Sequence, residues 1–353
     1  MTRSLFAAAL LCLAGAVHPA LADDAHAVAL VYHRFGESKY PSTDITLKRF
    51  DAQLDYLANN GYTVWPLARI VRYLKDDKPM PDKTIAITID DAFESVYTQA
   101  YPRLKARGWP FTVFVSTDAV DRHFDAFMTW DQMRKMQAHG VTFANHTASH
   151  DHLLFRKGEE DETAWRQRVT ADIDKAQRRL KAELGRAPML FAYPYGEYNA
   201  ALADLVAELG YTAFGQQSGA MGHYTDPRAL PRYPVAGPYG AMPQFKTKVA
   251  SLPLPVMDYE PWDPELDEDR RPRLVVTLGD AGGARLDELK CYVSHQGETK
   301  VQWLDKYTQF AIQAPHKLPE GRSRYNCTAP NRDRSRYYWF SQQWIALPDE
   351  DSD

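Results

Sequence analysis

Two histidines four residues apart, His146 and His150 in H-T-A-S-H, and two adjacent carboxylates, Asp90 and Asp91 closing T-I-A-I-T-I-D-D, are the residues whose types and spacing could do chemistry. If the chain makes one helical turn after a strand, both imidazoles point the same way and can take two positions of a metal. A carboxylate from another strand would complete a three-ligand site with a position open for water. Successive strand residues face opposite ways, so Asp90 and Asp91 cannot share one job. One can bind the metal while the other takes a proton from water that the cation has acidified. Against this, H-x-x-x-H alone is a weak signal. An Asp after a strand is also a common cap, here for a helix expected to begin near Phe93.

The elements that must hold these groups are legible as a repeat. Short β-rich apolar runs, each ending in polar residues and followed by an amphipathic helix, recur as AVALVYH (27–33), TIAITIDD (84–91), PFTVFVST (110–117), VTFANH (141–146), MLFAYPYG (189–196) and YTAFGQ (211–216). Stretches such as LKRFDAQLDYLANNG and TADIDKAQRRLKAELG read as the helices between them, with terminal glycines suited to left-handed caps. This alternation predicts an α/β fold with a parallel sheet. His33, Asp90, Asp91, His146, His150 and Tyr195 all fall at or just after the C-terminal end of a predicted strand, the edge where barrels and open sheets assemble active sites.

After Pro255 the composition changes. DYEPWDPELDEDRRP (258–272) reads as a linker. RLVVTL, LKCYVSH, KVQWL, YTQFAIQ and YYWFSQQWI within residues 273–347 read as short alternating strands, fitting a small all-β, sandwich-like C-terminal domain. The expected organisation is a leader over 1–22, a main domain over 23–257, a linker over 258–272 and a β domain over 273–353.

The stretch from about residue 28 to 248 resembles the polysaccharide deacetylase family, the NodB-homology or carbohydrate esterase family 4 group. The T-F-D-D motif appears as Thr88-Ile89-Asp90-Asp91, and H-[ST]-x-x-H as His146-Thr147-Ala148-Ser149-His150. The resemblance implies a distorted (β/α) barrel and hydrolysis of acetyl groups, first N-acetyl groups of hexosamine, from an acetylated polysaccharide. It implies Asp90 as general base. Asp91, His146 and His150 would hold a divalent metal, commonly zinc, with cobalt, nickel and manganese as alternatives.

Two departures stand out. Where the family usually reads R-x-P-Y, this chain has Ala192-Tyr193-Pro194-Tyr195-Gly196, so the arginine that often steadies the catalytic Asp is Ala192 and the orientation of Asp90 is unexplained. Pro194 and Tyr195 remain as substrate-side residues, with the Tyr195 backbone N–H as oxyanion donor. No late L-x-H segment supplies the usual leaving-group acid. The Y-P-Y-G form and the opening LVYHRF resemble the poly-N-acetylglucosamine deacetylase branch, whose first strand carries the histidine, which makes His33 the candidate acid. His152 is a further candidate neighbour or substrate contact. Trp130, Tyr193, Tyr195 and Tyr198 could offer faces to sugar rings, although such aromatics more often finish a core.

MTRSLFAAALLCLAGAVHPALA has the pattern of a cleavable secretory signal, with Asp23 as mature start; its apolar run over residues 5–17 is short of the ~20 residues needed to span a bilayer. Export without a transmembrane anchor implies a periplasmic or secreted protein. In that compartment Cys291 and Cys327 are a candidate disulfide pair. A net charge of −4 and the lack of a basic run or phosphate loop give a nucleic-acid partner no support. Oligomeric state is not legible. De-O-acetylation of a polysaccharide would use the same groups. A non-catalytic glycan binder on a degenerate scaffold and a two-carboxylate glycosidase are the competing classes.

Overall fold

The computed structural model describes residues 25–347. The expected leader, with Cys12 and the Asp23 start, lies outside the described residues. Each of the six apolar runs carries a strand: β1 (His26–Tyr32), β2 (Thr84–Asp90), β3 (Thr112–Val115), β4 (Thr142–Asn145), β5 (Leu190–Ala192) and β6 (Thr212–Phe214). They lie side by side in chain order, every pair parallel. Parallel neighbours need long crossovers. These are supplied by α1 (Leu47–Asn59), α2 (Leu67–Lys75), α3 (Tyr101–Ala106), α4 (Trp130–Gln137), α5 (Glu162–Leu184) and α6 (Ala200–Glu208). α5 starts on the Asp161 carboxylate, which accepts from the Ala164 N–H, and stops at Gly185 in a left-handed cap.

The sheet is curled, and its two edges are joined. Leu230 bridges Phe214 of β6, and Tyr233–Pro234 runs parallel to β1. Segment 230–234 therefore closes a distorted barrel. Alternation on β2 sorts its side chains: Ile85, Ile87 and Ile89 join the outer layer under the helices, whereas Ala86 joins Ala27, Ala29, Ala144 and Ala192 inside. Small residues suit so narrow an interior, which Phe114 and Phe214 fill with ring centroids 5.7 Å apart. Thr88 and Asp90 continue that inward row, so the same period-two pattern that builds the core aims Asp90 inward.

The C-terminal region contains β7 (Val256–Glu260), β8 (Arg273–Leu278), β9 (Lys290–Val293), β10 (Gly297–Thr299), β11 (Gln302–Asp305), β12 (Gln309–Gln313), β13 (Gly321–Pro330) and β14 (Tyr337–Ala346). One sheet runs Leu252–Pro253, β14, β13, β9, β10; the other runs β7, β8, β12, β11. Leu274, Val276, Phe310 and Ile312 of one meet Val293, Tyr325 and Trp344 of the other in a shared core. Cys291 and Cys327 face each other on β9 and β13 and are joined as a disulfide. The stretch expected to be a linker from residue 258 begins inside β7, because Val256 and then Asp258, Tyr259 and Glu260 pair with β8 across a register shift at Met257. Arg336 ties this sandwich to the barrel, donating to Asp82 at 2.9 Å and to the Ala250 carbonyl at 2.6 Å. Among the described residues no helix is long and apolar enough to cross a membrane.

Candidate active site

The C-terminal ends of β1, β2, β4 and β5 open on one rim of the barrel. β2 ends at Asp90, and the chain then takes two consecutive left-handed residues, Asp91 (φ 75°) and Ala92 (φ 62°). Such conformations cost a non-glycine residue roughly 1–2 kcal/mol and persist where surroundings enforce them. The turn sends the Asp91 carboxylate toward the end of β4 rather than to the next helix as a cap. There His146 Nδ1 donates to the Ala192 carbonyl at 2.7 Å, which leaves Nε2 facing Asp91 Oδ1 at 3.4 Å.

Residues 147–150 do not form the helical turn expected from the H-x-x-x-H spacing. Thr147 (φ 64°) and His150 (φ 61°) are left-handed, Asn145 Oδ1 accepts from the Thr147 N–H, and Thr147 Oγ1 accepts from the His150 N–H. This tight loop brings the two imidazole centroids to 4.9 Å and His150 Nε2 to 3.1 Å from Asp91 Oδ1. One ligand atom from each of Asp91, His146 and His150 lies within 4.8 Å of the others. Asp91 Oδ1 is buried and accepts no hydrogen bond. An unsatisfied buried acceptor costs about 1–3 kcal/mol. A cation between one carboxylate oxygen and two imidazole nitrogens removes that cost, so the donor set fits a divalent metal. Burial pushes the Asp91 carboxyl up, but the facing imidazoles outweigh it and hold it well below the usual range.

Asp90 points the other way. Its two oxygens accept from Arg232 Nη1 and Nη2 at 2.7 and 2.8 Å, both side chains being wholly buried. The same guanidinium donates to the Gly215 carbonyl at 2.9 Å and to Thr88 Oγ1 at 3.1 Å. The arginine missing at Ala192 is thus replaced from the barrel-closing segment, and the orientation of Asp90 has its explanation. Burial would raise the Asp90 carboxyl; Arg232 and the nearby imidazoles lower it further than burial raises it. His33, one residue past β1, places Nε2 3.9 Å from Asp90 Oδ2. Burial lowers its imidazole below the ordinary value, more than the two Asp carboxylates raise it.

The opposite wall is the turn 194–197. Pro194 is buried, and Tyr195 is left-handed (φ 59°, ψ 0°). A side chain on Gly196 (φ 73°) would meet Gln216 atoms at 2.7 and 2.8 Å, so only glycine fits there. The Tyr195 ring lies 4.6 Å from His150 and stacks on His152 at 3.8 Å and 5°. His152 is in turn held to Glu197 Oε2 at 2.7 Å. Trp130, Tyr193 and Tyr198, considered above as sugar contacts, are packed in the core: Trp130 Nε1 donates to Asp121 and the Tyr193 hydroxyl to the Arg228 carbonyl. Trp344 of the sandwich is likewise a core residue.

A parallel barrel that carries a carboxylate and two histidines around one point, beside a buried Asp–Arg pair, is an arrangement suited to metal-assisted hydrolysis. Residues 77–214 match the family described as polysaccharide deacetylase. Its fold is similar to that of IcaB from Ammonifex degensii, with 28% identity and a TM-score of 0.55 over 63% of this chain and 95% of that one. In sequence it is similar to the poly-β-1,6-N-acetyl-D-glucosamine N-deacetylase of Escherichia coli, 28% identical over 219 residues, which is 52% of this chain and 32% of the relative. A Staphylococcus aureus protein of the same name is 26% identical over 191 residues, 49% of this chain and 66% of its own. The chain thus spans about a third of the length of its Escherichia coli relative.

Proposed function

We propose that this protein hydrolyses acetyl groups from a polysaccharide, with N-acetyl groups of hexosamine units as the substrate. The observation that carries the reading is the pairing of a cation-fitting cluster, Asp91, His146 and His150, with an ionised base, Asp90, fixed beside it by Arg232. A divalent cation held by those three residues, zinc first among candidates, supplies Lewis-acid chemistry that acidifies water and polarises a carbonyl. Asp90 accepts the proton of the attacking water. The Tyr195 N–H meets the acetyl oxygen as it gains negative charge. His33, neutral until a proton arrives because burial disfavours its charged form, relays that proton from Asp90 to the departing nitrogen. The carbon–nitrogen bond breaks, giving a free amine and acetic acid, which then loses its proton to solvent as acetate. De-O-acetylation would use the same groups with oxygen as the leaving atom.

The leader-like first residues favour action in the periplasm or outside the cell, and the names of the relatives favour a poly-β-1,6-N-acetylglucosamine polymer. The test is acetate release from β-1,6-linked N-acetylglucosamine oligomers, with release of reducing ends followed in parallel. Purified, chelated and zinc-restored protein are compared with an Asp90→Asn variant. Activity that falls on chelation, returns with zinc and is absent in the variant supports the reading. Reducing ends without acetate would replace it with a glycosidase, and tight metal binding without acetate release with a glycan-binding scaffold.

A further inference from the structure

The C-terminal sandwich reaches the candidate active site. On β13 and β14, Ser323, Tyr325, Cys327 and Trp344 alternate with Arg322, Arg324, Gln343 and Ile345, and Arg322 lies opposite Ile345 while Arg324 lies opposite Gln343. Tyr325, Cys327 and Trp344 belong to the sandwich core. Ile345 belongs instead to the barrel's cluster with Phe191, Tyr193, Tyr198 and Trp165. The outer face of this sheet is therefore pressed against the barrel where β5 ends.

From that face two side chains grip the turn 194–197. Gln343, itself buried, donates from Nε2 to the Gly196 carbonyl at 2.7 Å. Arg322 donates from Nη1 to the Tyr195 carbonyl and lies 3.8 Å, through Nε, from Glu197, the residue that holds His152 against the Tyr195 ring. Both consecutive carbonyls after the Tyr195 N–H are thus fixed from the second domain. Tyr195 needs such support, because its left-handed backbone is unfavourable for a residue with a side chain.

We propose that Arg322 and Gln343 are positioning residues: the sandwich domain holds the Tyr195 N–H in the direction required for the oxyanion, and so completes the catalytic centre. This rests on the deacetylase reading for its effect on rate, but not for its effect on the turn. Misdirection of one donor costs catalysis without weakening binding of the ground-state sugar.

Arg322→Ala, Gln343→Ala and Arg322→Lys are compared with the parent by acetate release, bound zinc per chain, melting temperature and amide hydrogen exchange over residues 193–198. The two alanine variants lose on the order of 10- to 100-fold in kcat. Their KM stays within about threefold of the parent, as fits a contact that acts in the transition state. Zinc content and melting are retained, exchange of the turn accelerates, and Arg322→Lys recovers part of both losses. Unchanged exchange in both alanine variants overturns the proposal whether or not the parent releases acetate. Faster exchange with full kcat overturns the catalytic part, and a raised KM with intact kcat makes Arg322 a substrate-binding residue instead. A parent that releases no acetate sinks the deacetylase reading alone, since exchange still reports on the grip.

Discussion

Arg232→Met is the substitution that most directly probes how Asp90, the proposed base, is held. Arg232 and Asp90 are both 0% exposed, and the guanidinium makes two donor contacts to the carboxylate at 2.7 and 2.8 Å. Methionine is also buried readily but leaves the carboxylate without its counter-charge, and removing one partner of a buried pair costs roughly 3–5 kcal/mol. At roughly 2–4 °C per kcal/mol for a domain of 150–250 residues, melting falls by roughly 6–20 °C. The sign with pH follows from the carboxyl. In the parent Asp90 is held below its ordinary 3.8, so it contributes stability above that pH and the contribution is lost as pH falls through the folded value. Without Arg232, burial dominates and the carboxyl rises above 3.8. The folded variant then binds more protons than the unfolded chain, and its deficit is largest near pH 8 and shrinks toward pH 5. Scanning calorimetry at both pH values is the assay, with Asp90→Asn/Arg232→Met as the companion, which recovers part of the loss because no buried charge remains. A single variant that melts within about 2 °C of the parent at both pH values, with no recovery in the double variant, would refute the assignment of Arg232 as the support of Asp90.

Three further outcomes are expected. Zinc at about a hundred times its Kd raises parent stability by about 2.7 kcal/mol, and Asp91→Ala, His146→Ala and His150→Ala abolish that rise in thermal shift and the bound zinc in elemental analysis. Lys248 donates to the Pro234 and Tyr239 carbonyls, and burial, aided by Arg324, lowers its amine to about 8 from 10.5. The unfolded chain then holds the proton that the folded one releases, so stability rises by about 3 kcal/mol between pH 8 and 10.5, a slope that denaturant titration finds missing in Lys248→Met. Replacing both Cys291 and Cys327 with alanine removes the bridge between β9 and β13, whose ends are 36 residues apart. Denaturant titration should show a loss of about 2–4 kcal/mol, with activity at room temperature retained.

The barrel strands were legible because buried parallel strands are continuous apolar runs, as in TIAITID. The Asp pair and the two histidines were legible as types at a spacing, but not the path between them. Residues 147–150 reverse through two left-handed residues stabilised by Asn145 and Thr147 side chains, a local device that helix periodicity cannot reveal. Arg232 was missed because the closing strand, Tyr233–Pro234, is two residues long and contains a proline, with Pro231 just before Arg232, so the segment reads as punctuation. The R-x-P within Arg232-Tyr233-Pro234 was the available signal. β13, ten residues long, was also missed: Tyr325, Cys327 and Ala329 do alternate with Arg324, Asn326 and Thr328, but the polar start Gly321-Arg322-Ser323 and the closing Pro330 make GRSRYNCTAP read as a loop. Contacts such as Gln343 to Gly196 join residues 147 positions apart and leave no local trace.

The displaced arginine bears on whether the centre is intact or decayed. A carboxylate at the inner end of a barrel strand is costly to ionise unless a cation is brought to it, and taking the guanidinium out of water is costly as well. A chain that only bound glycans would be as stable with a neutral pair of similar volume, and often more so. Here the pair is bidentate, wholly buried and further tied to Thr88 and Gly215. It keeps Asp90 ionised beside the Asp91–His146–His150 cluster while the usual motif position is a small Ala192 whose carbonyl orients His146. That contact uses the backbone of residue 192 and so is compatible with the small side chain there. The carboxylate proposed as base and the directed imidazole are thus held from different segments, Arg232 for one and β5 for the other, as the proposed hydrolysis needs.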